Sequence, residues 1–186
     1  TGALLEWFVG RKVRTYPPLT GTSTLVELAH DDAVETLGRR IASQAGLKGV
    51  FKIDLKRDAH TGDTRLLEIN ARYNLWHYLG AANGVNLPRT AYDYLVHGVR
   101  PSAPGRYRTT HRWIYFRYDW RAYRQLAARG ELGFFGWLAS LADGPLVCQL
   151  FAWSDPLPFF FRLRHMFKSK LPRLTAVLRR WLSMAS

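Results

Sequence analysis

The chain has 186 residues, 47% of them apolar and 14% aromatic, which is enough to bury a core and excludes a disordered or low-complexity chain. Its single cysteine, Cys148, excludes a disulfide framework or a cysteine zinc site within the chain and points to a reducing compartment. The net charge of +13 is unevenly spread: residues 1–99 hold 12 basic and 10 acidic side chains, residues 100–186 hold 15 and 4. A basic half of this kind suits nucleic acid, anionic lipid or a phosphorylated partner. No window approaches the roughly 20 apolar residues of a spanning helix, and Leu132 to Ala142, the most apolar stretch, is too short. The chain opens at Thr1 without a basic n-region, so no signal peptide is read, and an upstream part of the same protein is expected. These features together predict a cytoplasmic location.

In chain order, Leu4 to Tyr16 mixes aliphatic, aromatic and basic residues without helical spacing and stops at Pro17-Pro18, which predicts a strand and then a loop. Alternation along that strand puts Lys12 and Arg14 on one face, where they could meet an anion; a solvated basic edge strand fits the same residues. Thr24 to Leu28 reads as a second strand. Asp32 and Glu35 fit a capping box, and Val34, Leu37, Ile41 and Ala45 recur at helical spacing until Gly46.

Val50 to Lys56 and Arg65 to Asn70 are alternating runs around the loop Asp58 to Asp63, which predicts a hairpin. Pairing Ile53 with Ile69 and Leu55 with Leu67 gathers the apolar residues on one face. The other face then carries Lys52, Asp54, Lys56, Leu66, Glu68 and Asn70, with Asp54 directly across from Glu68. Opposed like charges destabilise a ladder and call for a cation between them. Magnesium suits, since it takes oxygen ligands, one or two carboxylates and substrate phosphates. Asn70 adds a carbonyl oxygen, and Arg72, next on that face, a guanidinium matched to phosphate. The wet face of an ordinary hairpin is the alternative reading of the same pattern.

Further helices are predicted from Asn74 to Asn83 and from Pro88 to Gly98. Trp76 and His77 either border an acceptor pocket or pack in the core; His60 reads as solvated and Cys148 as an inert core residue. Pro101 to Gly105 reads as a linker dividing residues 1–99 from a basic extension, residues 100–186. Within the extension a strand is predicted near Arg112 to Tyr118, helices near Trp120 to Arg129 and Phe134 to Leu141, and a strand near Leu146 to Ala152. A basic, aromatic helix follows Asp155-Pro156, interrupted or kinked at Pro172. Its interleaved phenylalanines, leucines and cations suit docking on the body of the protein or peripheral contact with an anionic membrane. Nucleic acid is disfavoured, because no recognition motif accompanies the charge. The pattern as a whole is α+β.

Gly49-Val50-Phe51-Lys52-Ile53-Asp54, Leu66-Leu67-Glu68-Ile69-Asn70-Ala71-Arg72 and Gly84-Val85-Asn86-Leu87-Pro88 together resemble the C-terminal part of an ATP-grasp domain, most closely its carboxylate-amine ligase-like members. The resemblance covers roughly residues 4–99, and the acid followed by Glu-x-Asn-x-Arg is its most specific element. It implies that Asp54, Glu68 and Asn70 hold magnesium between ATP phosphates, and that Arg72 steadies the phosphoryl group or the acyl phosphate. Arg11, Lys12 and Arg14 match more loosely a basic strand beside the phosphates. The implied reaction activates a small carboxylate with ATP as an acyl phosphate, from which an amine or other nucleophile displaces phosphate. The nucleotide-binding lysines and the adenine hinge are expected in the N-terminal part of the same protein, upstream of Thr1, which would leave the isolated chain inactive. A worn, non-enzymatic ATP-grasp remnant serving as a membrane or interaction module is the competing reading.

Overall fold

In the computed structural model, which describes residues 3–165, Gly10–Tyr16 (β1) and Thr22–Leu28 (β2) pair antiparallel, with Gly10 opposite Leu28 and Tyr16 opposite Thr22. The turn between them needs Gly21, where an added Cβ would sit 2.0 Å from the Tyr16 carbonyl. The segment before Gly10 is irregular and not the strand its composition predicts. Its aromatic residues are drawn into the core: Phe8 lies 6.0 Å from the Trp76 ring and 6.5 Å from the Tyr107 ring. Val9 still receives the Ala29 N–H at 3.1 Å, continuing the sheet's hydrogen bonding without its regular geometry.

Asp32–Gln44 (α1) is capped by Asp31, whose carboxylate accepts from Val34 N–H at 3.1 Å. The cap therefore falls one residue before the predicted Asp32, and Gly46, at φ +59°, lies beyond the helix end as predicted. Lys52–Arg57 (β3) and Thr64–Asn70 (β4) form a separate antiparallel hairpin. His77–Ala82 (α2) is shorter than the predicted Asn74 to Asn83, because Asn74 instead closes a turn by accepting from Trp76 N–H at 3.0 Å. Leu87–His97 (α3) is capped by Asn86 and ends at Gly98, which has φ +68°.

Arg112–Ile114 (β5) joins β2 antiparallel, and Phe116–Ala128 (α4) and Phe134–Ala142 (α5) lead to Leu146–Cys148 (β6), parallel to β5. The main sheet is thus mixed, in the order β1-β2-β5-β6. The predicted strand at Arg112 to Tyr118 stops early because Asp119, at the start of α4, is pulled into the sheet's underside. There its carboxylate receives Arg14 at 2.9 Å, Thr24 Oγ1 at 2.8 Å and Trp137 Nε1 at 2.9 Å, and it has no solvent exposure. Asn83 ties the loops on another side: its amide donates to the Leu79 and His111 carbonyls and accepts from His111 N–H at 3.0 Å. Leu25, Val26, Leu79, Val85, Trp113 and Ile114 complete the core. The architecture is α+β, with antiparallel and mixed sheets and packed helices.

These elements belong to one compact unit, Thr1–Gln149; a second unit is Leu150–Ser186. In the second, Ala152 bridges Asp155, Phe151 packs 5.5 Å from Phe159, and residues 157–165 are helical. The predicted kink at Pro172 and the rest of that helix lie outside the described residues. Among the described residues no helix is long and apolar enough to cross a membrane.

Candidate active site

The β3–β4 hairpin has the register that apolar pairing predicts up to Asp54: Ile53 opposes Ile69, Lys52 opposes Asn70, and Asp54 opposes Glu68. Beyond Asp54 the register shifts, and Leu55 pairs with Leu66, leaving Leu67 as the extra residue of a β-bulge. The expected Leu55–Leu67 pair is therefore not formed.

The hairpin is also turned over relative to a simple amphipathic reading. Asp54, on the polar face, is buried at 8% exposure, whereas Leu67 and Ile69 are 61% and 36% exposed. Asp54 faces β1, where Lys12 Nζ lies 3.1 Å from one carboxylate oxygen; Lys52 Nζ, from its own strand, lies 2.5 Å from the other. Burial alone would raise the Asp54 carboxyl, but the hydrogen bonds and charges of Lys52 and Lys12 outweigh it and hold the group below its ordinary value of 3.8. Asp54 is therefore ionised at neutral pH. A second anchor, Arg57 on Asp31 at 2.8 Å, fastens the hairpin to the start of α1.

Across the ladder, Asn70 Nδ2 donates to Glu68 Oε1 at 2.9 Å, and its Oδ1 faces the Arg72 guanidinium at 3.4 Å. Arg72 N–H in turn donates to the Asn70 carbonyl at 2.9 Å. Glu68, Asn70 and Arg72 thus form one hydrogen-bonded row in which Glu68 and Arg72 are exposed and Asn70 partly so. The face offers two carboxylates and an amide oxygen with three cations around them. An all-oxygen donor set fits a hard divalent ion, and the cations fit the oxygens of a polyphosphate. Among the described residues no cluster of three or more His, Cys, Asp or Glu gathers, so an ion here would rely on Asn70 and on ligands from outside the chain.

The basic strand divides its charges. Arg11 is exposed and grips Glu27, its partner on β2, with Nε 2.6 Å from Oε1. Arg14 is 7% exposed, holds Asp119 through Nε and Nη2 at 2.9 Å each, and donates to Ser140 Oγ at 2.8 Å. Register shifts on both sides of Arg14 break the alternation that would have placed it beside Lys12. Only Lys12 of the three reaches Asp54. Trp76 is 6% exposed and packs over Gly10, where a Cβ would come 2.4 Å from its ring, so it is a core residue; His77 Nδ1 lies 2.9 Å from the Asn74 carbonyl. Burial pushes the Cys148 thiol up, away from reactivity. Lys52, which sequence reasoning placed on this face without a role, is the closest cation to Asp54; its i, i+2 spacing was the available signal.

The chain is thus α+β, with Asp54 opposed to Glu68 and with Asn70 and Arg72 in line with them. The family described as ATP-grasp in the biosynthetic pathway with Ter operon matches residues 5–114, and the chain belongs to it. No curated protein and no solved structure matches the chain.

Proposed function

We propose that the Asp54/Glu68/Asn70 face is the phosphate end of an ATP-dependent ligase site of the carboxylate-amine ligase type. The observation that carries this reading is the direct opposition of Asp54 and Glu68, with Asn70 and Arg72 in line, in a chain of ATP-grasp membership. Asp54, Glu68 and Asn70 would hold magnesium, which when bound supplies charge neutralisation to the phosphates. Lys12 and Lys52 keep Asp54 ionised and add positive charge beside it; Arg72, exposed and pinned by Asn70, stabilises negative charge on the transferred group. A substrate carboxylate oxygen attacks the terminal phosphorus of ATP and the bond to ADP breaks. An amine nitrogen then attacks the resulting acyl carbon, phosphate departs with the C–O bonding pair, and the amine's proton passes to solvent. The residues that would carry this chemistry lie within residues 1–99, and the excess of positive charge lies in residues 100–186. The exposed apolar hairpin face, with Leu67 and Ile69, suits cover by a second lobe that completes the nucleotide clamp.

The test is ATP-dependent ADP release by the intact protein with candidate carboxylates and amines, comparing Glu68→Gln and Asn70→Ala. Both side chains lie outside the core, so turnover is expected to fall at least about 100-fold with melting unchanged. Wild-type turnover in both variants would remove the assignment. A second reading has one observation in its favour: Asp54 is already neutralised by Lys12 and Lys52, as in a binding module that has no need of metal. An intact protein that shows no magnesium-dependent ATP binding in calorimetry would favour it.

A further inference from the structure

Helix α5 is Phe-Phe-Gly-Trp-Leu-Ala-Ser-Leu-Ala, nine residues without a charge. A helix apolar all round belongs in a core, yet this one buries chiefly Trp137, which is anchored on Asp119. Phe135 is 82% exposed, with Phe134 and Leu138 near half. The patch runs on into α4. Trp137 lies 5.2 Å from Trp120 and 6.1 Å from Phe116, and both of these are also exposed, at 40% and 58%.

Beside that aromatic stripe, α4 presents Arg117, Arg121 and Arg124, all exposed. Helical spacing sets these arginines along the flank of Phe116 and Trp120. None of them forms an ion pair among the described residues, and Arg121 instead lies over the Tyr118 and Tyr16 rings. The occupant of such a surface must bury aromatic side chains and supply negative charge. A second copy of this chain would set arginine against arginine. Residues 150–186 carry seven Lys and Arg against one Asp, so they bring no counter-charge either. A bilayer with anionic headgroups satisfies both demands, with rings at the acyl boundary and guanidinium groups at the phosphates.

We propose that the α4–α5 face, with Phe134, Phe135 and Leu138 as the inserting residues and Arg117, Arg121 and Arg124 as the headgroup contacts, docks the protein peripherally on an anionic membrane. The site is separate from the hairpin carboxylates and independent of the reaction proposed for them. The experiment is flotation of the full chain with vesicles of phosphatidylcholine alone or mixed with phosphatidylglycerol. Binding is expected to be at least about tenfold stronger to the mixed vesicles and to weaken with salt. Phe135→Glu/Leu138→Glu is expected to abolish it, and Arg117→Glu/Arg124→Glu to reduce it at least about tenfold, with melting temperatures unchanged because all four side chains are exposed. Failure of the folded wild-type chain to float with the mixed vesicles overturns the proposal. So does binding that both double variants retain, which would place the contact elsewhere on the chain. A dimer in solution that Phe135→Glu/Leu138→Glu dissociates would assign the face to a protein interface and refute the lipid reading.

Discussion

Replacing Asp119 with Ala removes the acceptor for three buried donors at once: the Arg14 guanidinium, Thr24 Oγ1 and Trp137 Nε1. The surviving Arg14, only 7% exposed, keeps its bond to Ser140 but loses its counter-charge. Breaking one partner of a buried pair costs about 3–5 kcal/mol, and the orphaned hydroxyl and indole put this case at the upper end. For a chain of this size each kcal/mol lowers the melting midpoint by roughly 2–4 °C, so Asp119→Ala should melt about 10–20 °C below wild type. Arg14→Met is expected to lose nearly as much, because it leaves the buried Asp119 carboxyl without its cation and with only two neutral donors. The double variant Arg14→Met/Asp119→Leu should be less destabilised than the sum of the single changes, since it leaves no unpaired charge. Thermal unfolding by circular dichroism measures all of these. If Arg14→Met melts with wild type while ATP binding by the intact protein collapses, Arg14 is a ligand of phosphate and the structural assignment of this residue is wrong.

Two other consequences can be measured on the same chain. Gly21→Ala drives a methyl group into the Tyr16 carbonyl, at 2.0 Å, and should destabilise the β1–β2 turn by at least about 2 kcal/mol; a midpoint within a degree or so of wild type would contradict the close packing described. Asp54 has its folded-state carboxyl held below 3.8, so its pairing contributes stability that is complete above the ordinary aspartate range and is lost as pH falls through the depressed value. The stability gap between wild type and Asp54→Asn should accordingly be constant near neutral pH and narrow as pH falls from about 5 through the depressed value, and a gap that stays constant throughout would show that the lysine pairing contributes nothing.

The parts of this fold legible in the sequence are those fixed by local signals. Helix α1 is announced by its acidic start, its apolar spacing and Gly46; the one-residue error at its cap arises because Asp31 and Asp32 are adjacent and chemically equivalent candidates. The opposition of Asp54 and Glu68 follows from matching Ile53 with Ile69. The bulge that follows could not be read, because Leu66 and Leu67 are the same residue and a slip of one between them leaves the pattern unchanged. Which face of the hairpin is buried was equally hidden. It depends on Lys12, 42 residues upstream, reaching Asp54. The parallel pairing of β5 with β6 and the early end of β5 depend on helices α4 and α5 and on Asp119, all non-local to the strands they position.

Strand β1 shows most directly how charge is distributed in this protein. Three cations in four residues look in sequence like a cradle for an anion, but each meets its own acid from a different element: Arg11 takes Glu27 of β2, Lys12 takes Asp54 of β3, and Arg14 takes Asp119 of α4. The strand thereby cross-links the main sheet, the hairpin and the helical layer. Its contribution at the proposed phosphate end is reduced to Lys12, whose side chain is 37% exposed and can turn toward a ligand while Lys52 still pairs the buried Asp54. Arg14 has no such freedom, since moving it would strand Asp119 in the core. Arg72 has the opposite character, being exposed and held, among the described residues, by its neighbours Asn70 and Tyr73. The division between fixed and available cations therefore follows burial and partner, and it assigns the guanidinium of the proposed site to Arg72, on the strand that also carries Glu68 and Asn70.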